Sequence, residues 1–157
     1  MEIRLATPAD AELIVMLNAD VQALHAAALP HLFKPPADKT FSAATVKQIL
    51  SDSNNYVFVG YVADQAVGYA YAEIQLLPET ALRYEMRRVY LHHISIQPDH
   101  QHQGCGEKLM QAVEGLARDK GITTIALDVW SFNTTARTFF TKQGFTVFNE
   151  RMWKQLA

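Results

Sequence analysis

The stretch Gln101-His102-Gln103-Gly104-Cys105-Gly106 offers the first chemistry in this chain. It lies between VYLHHISI, which reads as a strand, and EKLMQAVEGLARDKG, which reads as a helix. A strand, a glycine-rich turn and a helix together present helix N-terminal N–H groups to an anion. Glycines there remove Cβ atoms, so phosphate oxygens can approach the backbone. The pattern predicts a ligand that carries phosphate and does not by itself say which one. The Walker spacing of Gly-x4-Gly-Lys-Ser/Thr is absent, and the Rossmann spacing fails because position 109 is Leu. A plain tight turn is the other reading of the same six residues.

The elements that must position this loop follow from periodicity and breakers. MEIRLA alternates as a first strand. Thr7 is placed to cap the next helix, with Pro8 in its first turn and Asp10 near its free N–H groups. Leu13, Leu17, Val21 and Leu24 make its apolar face, and Leu29-Pro30 ends it. PHLFKPPADKTF reads as a loop, and Ser42 caps a second helix that buries Val46, Ile49 and Leu50. Tyr56 to Ala63 and Ala66 to Leu76 form a hairpin around Asp64-Gln65, with a bulge expected at Gly68. Arg88 to Ile96 is a long central strand that stops at Pro98. Gly106 to Lys120 is an amphipathic helix, Thr123 to Trp130 a strand, and Asn133 to Gln143 a helix closed by Gly144. Phe145 to Phe148 and Glu150 to Gln155 are expected to form a final strand pair. Antiparallel hairpins followed by strand–helix units predict an α/β (α+β) fold: a mixed, mostly antiparallel sheet with helices on both faces. The 157 residues are read as one domain, 1–157.

Two signatures in this order resemble those of the GNAT superfamily of N-acetyltransferases. QHQGCG matches the family's Gln/Arg-x-x-Gly-x-Gly/Ala pyrophosphate loop after a strand ending HISIQPDHQ. LDVWSFNTTARTFFTKQGF matches its second signature, Asn-x-x-Ala followed by an aromatic pair before Gly-Phe. The resemblance implies acetyl-CoA as co-substrate. It assigns the pyrophosphate to Gln101, His102, Gln103, Gly104, Cys105 and Gly106, and the pantetheine arm to Ile94, Ser95 and Ile96 on the fourth strand. Asn133 is implied to touch that arm, and also reads as an N-cap. In the family the fourth and fifth strands splay apart around the thioester, so a backbone N–H near Ile94 is the implied oxyanion donor. The implied reaction is direct attack by a primary amine of a small molecule, peptide or protein N-terminus.

Such attack needs the amine neutral, and lysine-like amines are mostly protonated at neutral pH. A base, or a water chain to one, is therefore expected at the slot. Asp128 is the first candidate, because some members that acetylate protein N-termini carry a glutamate at that place. His92, Glu73 and Tyr90 follow, with Tyr90 and His92 at alternate positions and so on one strand face. Each has an alternative in ordinary packing, a salt bridge or a solvated strand end. The family's second aromatic is commonly a tyrosine that protonates the leaving thiolate; here it is Phe140. A non-catalytic acyl-CoA-binding regulatory module is the alternative that this departure keeps open, and a nucleotide-binding domain is a further rival.

Composition narrows the field. Net charge is −2, which gives no overall basic field for nucleic acid or anionic lipid. The one cysteine, Cys105, cannot form an internal disulfide. No signal peptide and no apolar run near the ~20 residues of a membrane helix are read, so a soluble cytoplasmic protein is expected. No metal is expected: His92 and His93 should face opposite sides of a strand, and His100 and His102 sit in the phosphate loop. The acceptor mouth is expected from HAAALPHLFKPP and LLPETALRYEMRR, with His25, His31, Phe33, Tyr84 and Trp130 as its aromatic residues. Arg83, Arg87 and Arg88 form the one basic cluster. The resemblance also admits a homodimer.

Overall fold

The computed structural model describes residues 1–37 and 41–156, so part of the predicted Pro30–Phe41 loop lies outside the described residues. Five strands form one open sheet in the order β1-β2-β3-β4-β5. They are β1 (Glu2–Leu5), β2 (Asn55–Val62), β3 (Gln65–Leu77), β4 (Met86–Ile96) and β5 (Ile125–Leu127). The first three pairings are antiparallel, and β5 lies parallel to β4. The helices are α1 (Ala11–Ala28), α2 (Ala43–Ser51), α3 (Cys105–Asp119) and α4 (Thr134–Lys142).

The strand alternation decides which helices cover which face. Val57, Val59 and Tyr69 pack against Ile14 and Leu17 of α1 and Val46 of α2. Ala70, Ala72, Val89 and Leu91 point the other way, against Leu109, Met110 and Val113 of α3 and Phe140 of α4. The small residues Ala70 and Ala72 let α3 lie close to the sheet. The buried stripe of α1 is Ala11, Ile14, Leu17 and Asn18, while Leu24 is half exposed. The stripe is therefore rotated from the expected one, and it carries a buried polar residue.

Local signals explain the element ends. Ser42 Oγ accepts from Thr45 N–H (3.2 Å) and Asn133 Oδ1 accepts from Ala136 N–H (3.0 Å), starting α2 and α4. The β2–β3 turn falls one residue earlier than expected, at Ala63 and Asp64, both with positive φ. That pair of left-handed residues matches the right-handed twist of a two-residue hairpin. The bulge near Gly68 is present: Gly60 pairs with Gly68 and Tyr61 with Ala66, leaving Val67 extra. A Cβ on Gly68 would stand 2.4 Å from the Ser95 carbonyl oxygen, so the close approach of β4 requires glycine.

Two strand expectations are corrected. β5 spans three residues rather than Thr123 to Trp130. Phe145 to Phe148 and Glu150 to Gln155 form no strands, and Phe148, Met152 and Trp153 are exposed. Alternating apolar residues become a strand only beside a pairing edge, and β5 offers a very short one.

At the other edge of the sheet, Arg4 grips Asp10 with two hydrogen bonds, Nη2–Oδ1 (2.6 Å) and Nη1–Oδ2 (3.0 Å). Asp10 Oδ2 also accepts from Thr7 N–H (2.7 Å), joining β1 to the start of α1. The Arg4 bonds, against the opposing effect of burial and with help from Thr7, hold this carboxyl well below the usual range. A depressed carboxyl stabilises the fold above its unfolded pKa, 3.8, and loses that contribution as pH falls through the folded value. Asp10→Asn should therefore cost about 1–2 kcal/mol at pH 7, discounted because Arg4 is partly exposed. In denaturant melts the gap from wild type should shrink steadily below about pH 4. A gap that stays constant down to pH 2 would remove the ion pair as its cause.

Candidate functional site

The site begins where β4 and β5 part company. Their ladder runs from Val89–Ile125 to Leu91–Leu127 and stops, while β4 continues to Ile96. On the β5 side, His92 to Ile96 thus runs without a strand partner among the described residues. A cleft of about 210 Å³ opens there, walled by Ile94 on β4, Asp128 and Val129 after β5, and Asn18 and Val21 on α1. Asn133, the cap of α4, and Ala136 and Phe140 on that helix complete its lining.

A second irregularity aims the side chains. Tyr71 pairs with His93 but Ala72 with Leu91, so His92 is an extra residue in β4. A bulge places two residues opposite one and breaks the alternation of faces. The Tyr71 ring accordingly stacks on His92 (4.6 Å, 15°) and meets His93 edge-on (5.7 Å). The expectation that His92 and His93 face opposite ways is corrected: both line the cleft. Among the described residues, no group of three or more His, Cys, Asp or Glu could hold a metal.

All four proton-handling candidates meet on this face. His92 Nε2 lies 2.6 Å from Glu73 Oε2, and Gln75 Nε2 donates to the same oxygen (2.8 Å). Burial raises the Glu73 pKa, but the Gln75 and His92 bonds outweigh it, so the carboxyl sits below its ordinary value. Tyr90 O–H donates to Asp128 Oδ2 (2.8 Å), and the Tyr90 ring meets His92 edge-on at 4.8 Å. Burial, then the Asp128 carboxylate, push the Tyr90 hydroxyl up to about 12, so it keeps its proton. His92 and Asp128 line the cleft, and Glu73 stands behind His92.

A buried polar chain holds the second histidine. Asn18 Nδ2–H donates to the Tyr69 hydroxyl (2.8 Å), which is hydrogen-bonded to His93 Nδ1 (2.9 Å). Burial, with His92 and His25 nearby, pushes His93 down to about 4, so the ring is neutral at pH 7. Sequence reasoning missed Asn18, Tyr69, Tyr71 and His93. Asn18 had a usable signal, a polar residue set among the apolar positions of α1. Tyr69 and Tyr71 alternate on β3 like ordinary core residues, and His93 depends on the bulge, which left no signal.

The Gln101–Gly106 loop is a connection with two left-handed residues, His102 (φ 59°) and Gly104 (φ 78°). Alternating handedness of this kind makes a backbone concavity suited to anions. Gly104 caps α3, and open space lies where its Cβ would be. Gly106 serves packing instead, since a Cβ there would meet the Phe139 ring at 3.2 Å. Gln101 and Gln103 tie the loop to itself, donating to the Ile96 and Asp99 carbonyls at 2.9 and 2.8 Å. The Cys105 side chain is buried, which leaves its N–H as the group it can offer a ligand. Ser95 is also buried, with Oγ donating to the Leu17 carbonyl (3.0 Å). Phe140 packs between Phe139 and Phe145 and forms part of the cleft wall.

At the cleft mouth, His25 meets Phe33 and Phe132 edge-on, and Phe33 meets Trp130. His31 stacks on Trp153. Tyr84 is almost fully exposed. The basic cluster is dispersed: Arg88 bonds Gln75 (3.0 Å) and covers Tyr90, while Arg87 reaches the Lys120 carbonyl. No described helix is long and apolar enough to cross a membrane.

No curated protein matches this chain. Among solved structures, a mutant of the BH1408 protein from Bacillus halodurans superposes with a TM-score of 0.95 at 20% identity, covering 100% of both chains. A transcriptional regulator from Bacillus halodurans C-125 gives 0.76 at 22% identity, over 99% of each chain. Aminoglycoside N-acetyltransferase AAC(6')-Iy in complex with CoA gives 0.78 at 20% identity, over 99% of this chain and 93% of that one. At these identities the likeness establishes the fold. The family model for the acetyltransferase (GNAT) family matches residues 19–145, and with the splayed β4 and β5 and both sequence signatures, the chain belongs to that family.

Proposed function

We propose that the chain works as a single domain that transfers acetyl from acetyl-CoA to a primary amine by direct attack. The observation that carries this is the cleft between β4 and β5, which joins an unpaired strand edge to a base-bearing face. The edge from Ile94 to Ile96 supplies backbone groups for an extended pantetheine arm, in the manner of an added strand. The concave loop at Gly104 and the first turn of α3 suit its pyrophosphate. Acetyl-CoA brings the activated thioester; the rest falls to this chain.

Asp128 holds the incoming nitrogen at the cleft. His92 takes its proton. The Glu73 carboxylate fixes the proton-bearing nitrogen of His92 at Nε2, leaving Nδ1 as the basic atom. The sequence ranked Asp128 first as base; the Glu73–His92 pairing favours the histidine, which Tyr71 clamps by stacking. As the nitrogen–carbon bond forms, the carbon–sulfur bond breaks and the sulfur leaves as thiolate. Phe140 has no proton to give, and the Tyr90 hydroxyl is committed to Asp128. A thiol pKa near ~8.5 makes unaided departure feasible. Phe140 and the fold shared with a transcriptional regulator support the second reading, an acyl-CoA-binding regulatory module without turnover.

Thermal shift with acetyl-CoA, CoA, ATP and NAD, followed by thiol release with an amine panel, tests the reading. Shifts confined to the CoA compounds are expected; an ATP or NAD shift of equal size would sink it, and binding without turnover would establish the second reading. Gly104→Val should weaken CoA at least tenfold, about 1.4 kcal/mol. Gly121→Val is the matched control, since Gly121 also has positive φ and open space but lies past α3. If both variants lose CoA affinity equally, backbone strain rather than the loop's surface is responsible. His92→Gln and Glu73→Gln should each lower kcat about 10²–10⁴-fold. Asp128→Asn should act mainly on the KM for amine. Phe140→Tyr, which adds a donor at the cleft wall, should raise kcat with CoA affinity unchanged; an unaltered kcat would show that thiolate departure is not limiting.

A further inference from the structure

The acceptor half of the cleft has a composition that discriminates among amines. Among the described residues lining it, Asp128 is the one carboxylate, and there is no lysine or arginine. An acceptor with several ammonium groups would bring charges that this lining does not match. An acceptor bearing a carboxylate or phosphate would find no fixed cation and would face Asp128. The histidine deepest in the wall, His93, is held neutral by burial and contributes no charge near pH 7.

The rest of the mouth is aromatic and already fixed in place. His25, Phe33 and Trp130 line it, and Phe132 backs His25. The rings meet edge to face at 5.0 Å (His25–Phe33), 5.4 Å (His25–Phe132) and 4.9 Å (Phe33–Trp130). His25 Nδ1–H donates to the Val21 carbonyl (2.6 Å), which locks that ring. Gln22 Nε2–H donates to the Lys34 carbonyl (2.6 Å), pinning the segment that carries Phe33 to α1. Trp130 keeps 39% of its surface exposed beside this wall. Rigid aromatic surface binds a flat apolar body at low entropic cost. The cleft volume of about 210 Å³ falls below the usual ~300–1,000 Å³ of ligand pockets, which favours a small acceptor.

We infer that the acceptor is a small monoamine carried on an aromatic or apolar ring, its ring against His25, Phe33 and Trp130 and its nitrogen at Asp128. This rests on the acetyltransferase reading above and names its substrate class. The wall receives the ring, the single carboxylate receives the single ammonium, and His92 stands next to it for the proton.

The test compares 2-phenylethylamine, methylamine, spermidine and kanamycin as acceptors, read by thiol release, alongside calorimetric titration of each into the protein–CoA complex. Phenylethylamine should exceed each of the others at least tenfold in kcat/KM. Trp130→Ala should reduce the phenylethylamine-to-methylamine ratio at least fivefold, through KM, with CoA affinity unchanged. Spermidine or kanamycin equal to or better than phenylethylamine would overturn the inference, and so would a Trp130→Ala effect that is the same for all four. If no amine is turned over, the titration still decides. Phenylethylamine binding that Trp130→Ala abolishes upholds the ring amine as this cleft's ligand and removes the transferase reading, whereas no binding overturns the inference.

Discussion

Backbone pairing between β4 and β5 lasts three residues and then stops, and the working part of the molecule follows from that interruption. A sheet that stayed zipped from Val89 to Ile96 would present hydrogen-bonded backbone on both sides of β4 and leave no cleft. Because the ladder ends at Leu91 and Leu127, the strand beyond is half-paired: satisfied by β3, open on the other side. Backbone N–H and C=O groups are obligatory hydrogen-bonding groups, and an unpaired strand edge is a template for an extended ligand. The same divergence gives Asp128, Val129 and Trp130 access to the cleft, since they follow β5 just where it leaves the sheet.

The packing on either side keeps the gap open. α3 and α4 bury their apolar residues against Ala70, Ala72, Val89 and Leu91, and α1 lies across the opposite face with Asn18 and Val21 at the cleft. Ser95 is bonded to the Leu17 carbonyl and Tyr69 to Asn18, so the sheet and α1 are tied by buried polar contacts as well as by apolar burial. Such contacts have one favourable arrangement, because a buried polar group left unpaired is costly. They hold His93 and the strand edge at fixed positions across the cleft from Asp128.

The bulge at His92 gives this face its chemistry. With regular alternation, one histidine would face α3 and the other α1. The extra residue puts both beside Tyr71, so a Glu73–His92 pair and a neutral His93 share one wall. The Tyr90–Asp128 bond then links that wall to the end of β5. The family's usual tyrosine is replaced here by Phe140, a core ring at the cleft, so an apolar ring stands where the family has a hydroxyl donor.

Local sequence is enough to specify the helix caps, the breakers and the glycine loop. Helix caps at Ser42 and Asn133, the breakers at Pro98, Gly121 and Gly144, and the strand–glycine–helix order around Gly104 each depend on a few neighbouring residues. Residue types and strand positions also singled out Glu73, Tyr90, His92 and Asp128, which the fold brings together. How they are used is a property of the assembled sheet. Whether Thr123 to Trp130 pairs along its length, and whether the C-terminal residues find an edge, depends on neighbours distant in the chain. That His93 shares a face with His92 depends on a bulge, which shifts the register without any residue type that marks it. A one-residue change of register reverses which face every later side chain occupies, and only the paired strands fix that register.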